Sequence, residues 1–79
     1  MTTSKQYETL ANAYHQAEAM AIESAYGHLE RSRALLSSGE RQSALAAHLM
    51  AEGCRLLAQA MSAAEAEARR LADVPDVVH

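Results

Sequence analysis

The amino-acid sequence predicts an all-α protein: a long antiparallel helical hairpin, with helices at about 4–37 and 40–73, that pairs with another copy as a four-helix bundle dimer. Three observations predict this fold. Alanine dominates a chain of 79 residues without Phe or Trp, a composition that favours helices over strands. Apolar residues recur at helical spacing through both halves of the chain. A single short break separates the halves, and the length allows one domain over 1–79.

The first predicted helix begins at Thr3, where Thr3 and Gln6 fit a capping box that satisfies free backbone donors. At ~100° per residue its apolar side chains gather on one face, while polar residues such as Thr9 and Glu23 take the other. The apolar face comprises Tyr7, Leu10, Ala11, Tyr14, Ala17, Ala21, Ile22, Ala25, Leu29, Ser32 and Leu36. This pattern predicts an amphipathic helix of roughly 33 residues, about 50 Å long.

The predicted break lies at residues 37–40, which read Ser-Ser-Gly-Glu. Gly39 is expected to adopt the left-handed conformation that ends a helix, and Ser37 and Ser38 are expected to cap the next one. A connection this short makes the helices antiparallel, and it places residues whose numbers add to about 77 opposite each other.

The second predicted helix runs from about Glu40 to Asp73. It ends there because Pro75 disfavours helical backbone angles at Val74. Residues 74–79 are predicted to form a frayed C-terminal tail.

Small residues recur along the second helix at Ala46, Gly53 and Ala60, at intervals of seven. A line with so little side chain lets another backbone approach closely. Folding at the turn is expected to bring Gly53 toward Ala21 and Ala25 of the first helix.

Each helix has an apolar face that is wider than one partner helix can cover. One flank is therefore expected to pack within the hairpin and the other against a second molecule, so the sequence predicts a homodimer. The predicted interface residues are Tyr7, Leu10, Tyr14, Ile22, Tyr26, Leu29, Leu49, Met50, Gly53, Leu56, Leu57, Ala60, Met61 and Leu71.

Glu18 is the most unusual residue, because it interrupts the apolar face of the first helix between Tyr14 and Ile22. A carboxylate in that position must be paired, protonated or bound to a metal. His15 and His28 flank the same face, so one interpretation is a metal- or haem-binding bundle that uses Glu18 with His15 and His28. The interpretation that the sequence favours is a structural polar contact to a Tyr hydroxyl or a basic side chain, so no metal and no cofactor is predicted.

Composition excludes several classes of function. The chain has seven Lys and Arg against ten acids, for a net charge of −3, and its bases are dispersed, which argues against nucleic acid as a partner. No apolar run approaches the ~20 residues of a membrane span. The N-terminal residues lack the apolar core of a signal peptide, and the single cysteine, Cys54, cannot form an internal disulfide. These features predict a cytoplasmic protein.

No arrangement of residues predicts catalysis. The sequence has no Ser/His/Asp set, no phosphate-binding glycine loop and no Cys or His cluster at zinc-site spacing. The predicted function is therefore a non-enzymatic protein–protein interaction module, a small accessory or adaptor subunit that self-associates and docks onto a larger partner. A further alternative, an antitoxin-like or regulatory partner of another protein, differs from this one only in the protein that it binds.

Overall fold

The computed structural model describes residues 3–74, which form two long α-helices, α1 (Thr3–Ser37) and α2 (Arg41–Ala72), joined by a tight turn. The helices pack against each other in antiparallel orientation, so the predicted all-α helical hairpin is confirmed. Both helices begin and end within one residue of their predicted limits. Val74 is exposed and outside α2, and the rest of the predicted tail, residues 75–79, lies outside the described residues.

The turn ends α1 with the Schellman pattern of backbone hydrogen bonds. The N–H of Gly39 donates to the carbonyl of Leu36 over 3.0 Å, and the N–H of Glu40 donates to that of Leu35 over 2.9 Å. Gly39 has a φ of 79°, in the left-handed region that glycine adopts without a steric penalty. The predicted role of Gly39 is confirmed.

The prediction that the turn serines cap the second helix is wrong. Glu40 is the N-cap of α2, and no side chain makes a capping hydrogen bond there. The hydroxyls of Ser37 and Ser38 donate instead to the carbonyl oxygens of Arg33 and Ala34, over 3.1 Å in each case. In the last turn of a helix, a serine hydroxyl readily reaches the carbonyl oxygen four residues back. Both serines therefore donate hydrogen bonds to carbonyl oxygens near the end of α1.

Small residues form the contact between the helices. The buried residues are Ala11, Ala21 and Ser32 of α1 with Ala44, Ala47, Ala51, Ala58 and Ala68 of α2. Half-buried Cys54, Met61 and Glu65 occupy the intervening inward positions of α2, at alternating intervals of three and four residues. This is the repeat of a coiled coil, and side chains this small let the two backbones approach closely.

Two serine hydroxyls link the helices at opposite ends of the hairpin. Near the turn, Oγ of the buried Ser32 donates to the carbonyl of Ala44 over 2.9 Å. At the open end, Oγ of Ser4 donates to the carbonyl of Ala72 over 2.7 Å. Both bonds agree with the predicted register within one residue. Sliding one helix past the other would break both bonds and leave the Ser32 hydroxyl buried without its acceptor, which is unfavourable.

The predicted approach of Gly53 to α1 is wrong. Ala46, Gly53 and Ala60 are exposed, and a Cβ built on Gly53 would meet no atom within 4 Å. The prediction placed the line of Ala46, Gly53 and Ala60 nearest α1 on an ideal helical wheel, between the larger apolar side chains of α2. The hairpin instead buries the alanine face, which permits a closer contact, and the wheel also drifts ~20° per seven residues from a coiled-coil line.

Candidate interaction surface and polar cluster

A continuous apolar stripe runs along α2 outside the buried alanine line, and at one edge of it Nη2 of Arg31 on α1 lies 3.6 Å from Sδ of Met50. We call it the outer stripe, and it consists of Ala46, Leu49, Met50, Gly53, Leu56, Leu57 and Ala60. All of these residues are exposed, and the four large side chains keep between 51% and 60% of their surface accessible. A contiguous exposed apolar patch on a small protein is typical of an interaction surface.

The predicted interface residues separate into two groups by their exposure in the hairpin. Those half-buried by the opposite helix or its flanks are Tyr7, Tyr14, Leu29, Met61 and Leu71. Those left exposed are Leu10, Ile22, Tyr26, Leu49, Met50, Gly53, Leu56, Leu57 and Ala60. None of them is fully buried, since alanines and Ser32 take the innermost positions. The hairpin therefore leaves most of the predicted interface accessible to a further molecule.

A groove of about 300 Å³ runs along one side of the hairpin, between the two helices. It is lined by Ile22, Ala25, Tyr26, Leu29, His48, Ala51, Glu52, Arg55 and Ala58. Arg55 donates from Nε to both carboxylate oxygens of Glu52, and this contact holds the pKa of Glu52 below its usual value. An exposed pair one turn apart on a single helix contributes little to stability, so it forms a charged rim beside an apolar floor.

A polar cluster joins the two helices in the half of the hairpin farther from the turn. Nδ1 of His15 lies 3.2 Å from Oε1 of Glu65 on α2 and 4.0 Å from Oε1 of Glu18 on α1. One ligand atom of each residue lies within 4.8 Å of the other two. The side chains of Glu18 and Glu65 are only 23% and 16% accessible, whereas His15 is exposed. The structure thus brings together Glu18 and His15, and it adds Glu65.

His28 is not part of this cluster, although the sequence grouped it with Glu18 and His15. It lies roughly 20 Å farther along α1 than His15. Its Nδ1 is buried and has no hydrogen-bond partner among residues 3–74. The two histidines therefore do not share one ligand site within a single hairpin.

Sequence reasoning missed Glu65, which lies two positions before another acid of α2, Glu67. Glu67 is exposed and pairs with Arg70 on its own helix. Glu65 follows the buried Ala58 by seven residues and so occupies an inward coiled-coil position. Glu65 is found by counting seven residues on from a buried alanine of α2. The sequence alone does not show that the alanine face, and not the outer stripe, is the face to count from.

Arg69 holds Glu65 in its orientation. Nε of Arg69 donates to Oε2 of Glu65 over 2.9 Å, and Nη2 donates to Oδ1 of Asn12 on α1 over 3.3 Å. The guanidinium of Arg69, with a smaller contribution from His15, holds the pKa of Glu65 below its usual value. Since Arg69 engages Oε2, the other carboxylate oxygen faces His15.

Comparison of the chain with protein-family models, with curated proteins and with solved structures gave no match. Within the described part of the chain, no helix has a segment that is both long and apolar enough to cross a membrane. The outer stripe and the polar cluster are the two features of the hairpin that bear on its function.

Proposed function

We propose that this protein is a non-enzymatic assembly module, a small accessory or adaptor subunit whose hairpins associate in pairs as a four-helix bundle. The observation that carries the proposal is the outer stripe, which stays exposed after the hairpin has formed. Removing apolar surface from water is favourable by ~25 cal/mol per Å², so a partner that covers the stripe stabilises the protein. The proposed setting is the cytoplasm, where the lone thiol of Cys54 is kept reduced.

A second copy of the chain fits the outer stripe because the stripe reads alike in both directions from Gly53. The matched pairs are Met50 with Leu56, Leu49 with Leu57 and Ala46 with Ala60, at three, four and seven positions on either side of Gly53. In a dimer with a two-fold axis, residue i of one copy meets residue j of the other and the reverse contact also occurs. With antiparallel α2 helices and a two-fold axis through Gly53, the two members of each matched pair face each other. Large side chains then meet large ones, and small side chains meet small ones.

Charge and shape also support pairing between copies. None of the outer-stripe residues is charged, so two chains of net charge −3 can meet there without opposing carboxylates. Glu52 and Arg55 lie beside the groove on a different side of α2 and neutralise each other. The open space around Gly53 lets the partner backbone approach, and close approach increases the dispersion contacts between the flanking Leu side chains.

Engineered cysteines test both the pairing and its direction. In a Cys54→Ala background, Gly53→Cys is expected to form a disulfide-linked dimer on mild oxidation, because the two copies of position 53 meet on the axis within the ~7 Å that a disulfide requires. Ala46→Cys alone is expected not to cross-link, since the two copies of position 46 lie about 20 Å apart. A mixture of Ala46→Cys and Ala60→Cys proteins is expected to cross-link as a heterodimer.

Gln59→Cys is the matched control, because Gln59 is an exposed residue of α2 outside the stripe. It is expected to stay a free thiol under the same conditions. Self-linking of Ala46→Cys would establish parallel pairing and refute the antiparallel arrangement. A single-chain mass by light scattering, with no cross-link in any variant, would refute self-association. A single-chain mass that increases only when a different purified protein is added would favour the antitoxin-like or regulatory alternative.

A further inference from the structure

We propose that His15, Glu18 and Glu65 bind one divalent transition-metal ion, Zn²⁺ or an ion of similar ligand preference, between α1 and α2. The inference does not rest on self-association, because every donor comes from a single hairpin and none belongs to the outer stripe. A metal ion bound at this cluster links α1 to α2 at the point where polar side chains interrupt their apolar contact.

The positions of the three donor atoms suit a small cation. A tetrahedral Zn²⁺ with bonds of ~2.0–2.2 Å keeps its ligand atoms roughly 3.4 Å apart. The separation of 3.2 Å between His15 and Glu65 already matches that geometry. The 4.0 Å between His15 and Glu18 is about 0.6 Å longer, so metal binding requires Glu18 to move toward His15. Water can fill the fourth position because His15 is exposed.

The donor chemistry selects the class of ion. One imidazole nitrogen and two carboxylates form a mixed N/O set, which suits Zn²⁺ and neighbouring first-row ions. Ca²⁺ takes six to eight oxygen ligands, and Mg²⁺ prefers oxygen in near-octahedral geometry, so an imidazole disfavours both ions. To bind, His15 uses Nδ1 as the ligand and carries its proton on Nε2.

The charges at the cluster favour a cation. Among the described residues, Glu18 forms no ion pair with Lys or Arg, and its only basic contact is His15. Two half-buried carboxylates close to one another repel unless a positive charge lies between them. Arg69 compensates Glu65 from the side away from His15, so it leaves Glu18 uncompensated.

Hydrogen bonds around the cluster orient the carboxylate of Glu65 for metal binding. Arg69 fixes Glu65 through Oε2 and is itself anchored to Asn12 of the opposite helix. Ligating carboxylates in metalloproteins are commonly oriented by hydrogen bonds of this kind. Oε1 of Glu65 is thereby left facing Nδ1 of His15, and a metal ion bound between the two atoms replaces their hydrogen bond.

Metal-stripped protein titrated with ZnCl₂ by isothermal calorimetry is expected to bind one ion per chain. Thermal unfolding monitored by circular dichroism is expected to shift upward by several degrees in Zn²⁺, because the ion binds the folded hairpin and not the separated ligands. Co²⁺ is expected to give visible absorption typical of a low-coordinate N/O site, and Zn²⁺ is expected to abolish that absorption.

Glu18→Gln and Glu65→Gln test the ligand assignment, since each keeps the side-chain shape and removes an anionic donor. Each is expected to raise the Kd for Zn²⁺ by at least about tenfold and to abolish the thermal shift. The matched control is His48→Gln combined with Glu52→Gln, which removes a histidine and a carboxylate one turn apart beside the groove. Its Kd and thermal shift are expected to equal those of the original protein.

Circular dichroism of each metal-free variant establishes that the hairpin is intact. If Glu65→Gln loses helicity after losing its bond to Arg69, Glu18→Gln decides the question alone. Absence of saturable Zn²⁺ binding by the original protein would overturn the proposal. So would a Glu18→Gln protein that binds Zn²⁺ with unchanged Kd, or a loss of binding in the His48/Glu52 control alone.

Discussion

Ala51 and Gly53 lie two positions apart on α2, yet the structure restricts the size of only one of them. Ala51 is buried against α1, whereas a Cβ built on Gly53 meets no atom within 4 Å. A methyl group fills the space at position 51, because the fully buried residues of α2 are alanines that bring the two backbones together. Position 53 tolerates a larger residue within the hairpin and is restricted only by a partner.

Ala51→Leu is expected to lower the free energy of unfolding by about 1–3 kcal/mol, because the extra carbon atoms force the helices apart. Ala66→Leu, at an exposed position of the same helix, serves as the control and is expected to change it by less than about 0.5 kcal/mol. Urea unfolding followed by helical circular dichroism at one protein concentration measures both values. Equal effects of the two substitutions would contradict alanine packing at position 51.

The turn determines where α1 ends and in which direction α2 runs. The Schellman bonds from Gly39 and Glu40 close α1, and Ser32 then bonds the first turns of α2 through Ala44. Because the turn is short, its geometry sets the register from which every inward alanine contact follows. The left-handed φ of Gly39 is the local condition for that geometry.

Gly39→Ala is expected to destabilise the hairpin by about 1–2 kcal/mol, because an L-residue with a Cβ is strained at this φ. Gly27→Ala is the matched substitution, since Gly27 is exposed within α1 and a Cβ there meets nothing within 4 Å. It is expected to stabilise the protein by about 0.5–1 kcal/mol through helix propensity. Opposite signs in denaturant unfolding support the role of the turn, and stabilisation by both substitutions would contradict it.

Residues 3–74 form a single helix–helix contact, with no second layer of secondary structure against it in this part of the chain. Among residues 3–74, the hairpin fully buries only alanines and Ser32, and the large apolar side chains stay partly or largely accessible. If a second copy covers the outer stripe, association increases the free energy of unfolding. That increase becomes larger as the protein concentration rises.

The melting temperature is therefore expected to rise with protein concentration. Leu56→Glu places a charge in the middle of the outer stripe and is expected to remove the dependence and to give a single-chain mass by light scattering. Met20→Glu is the matched control, since Met20 is 68% exposed on α1 and lies outside the stripe. It is expected to retain the concentration dependence. A melting temperature that is constant over a hundredfold range in the original protein would contradict assembly through the stripe.

Two residues of the polar cluster and the composition of the outer stripe could be predicted from the sequence. A carboxylate inside an apolar face marked Glu18, and helical spacing placed His15 one turn before it on α1. The outer stripe was also visible as a run of small and large apolar residues at intervals of seven. Its position outside the hairpin was not predictable, because α2 has a second apolar face made of alanine.

The sequence by itself determined the two helices, their limits and the turn, because helix propensity, Gly39 and the apolar period act between near neighbours in the chain. Only the tertiary structure decided which face of α2 lies inside. Leucine is the more hydrophobic residue, but alanine allows the closer approach of two backbones, and that approach is a property of the pair of helices. The same choice set Glu65 beside His15, fifty residues away in sequence, because their distance depends on how one helix is rotated against the other.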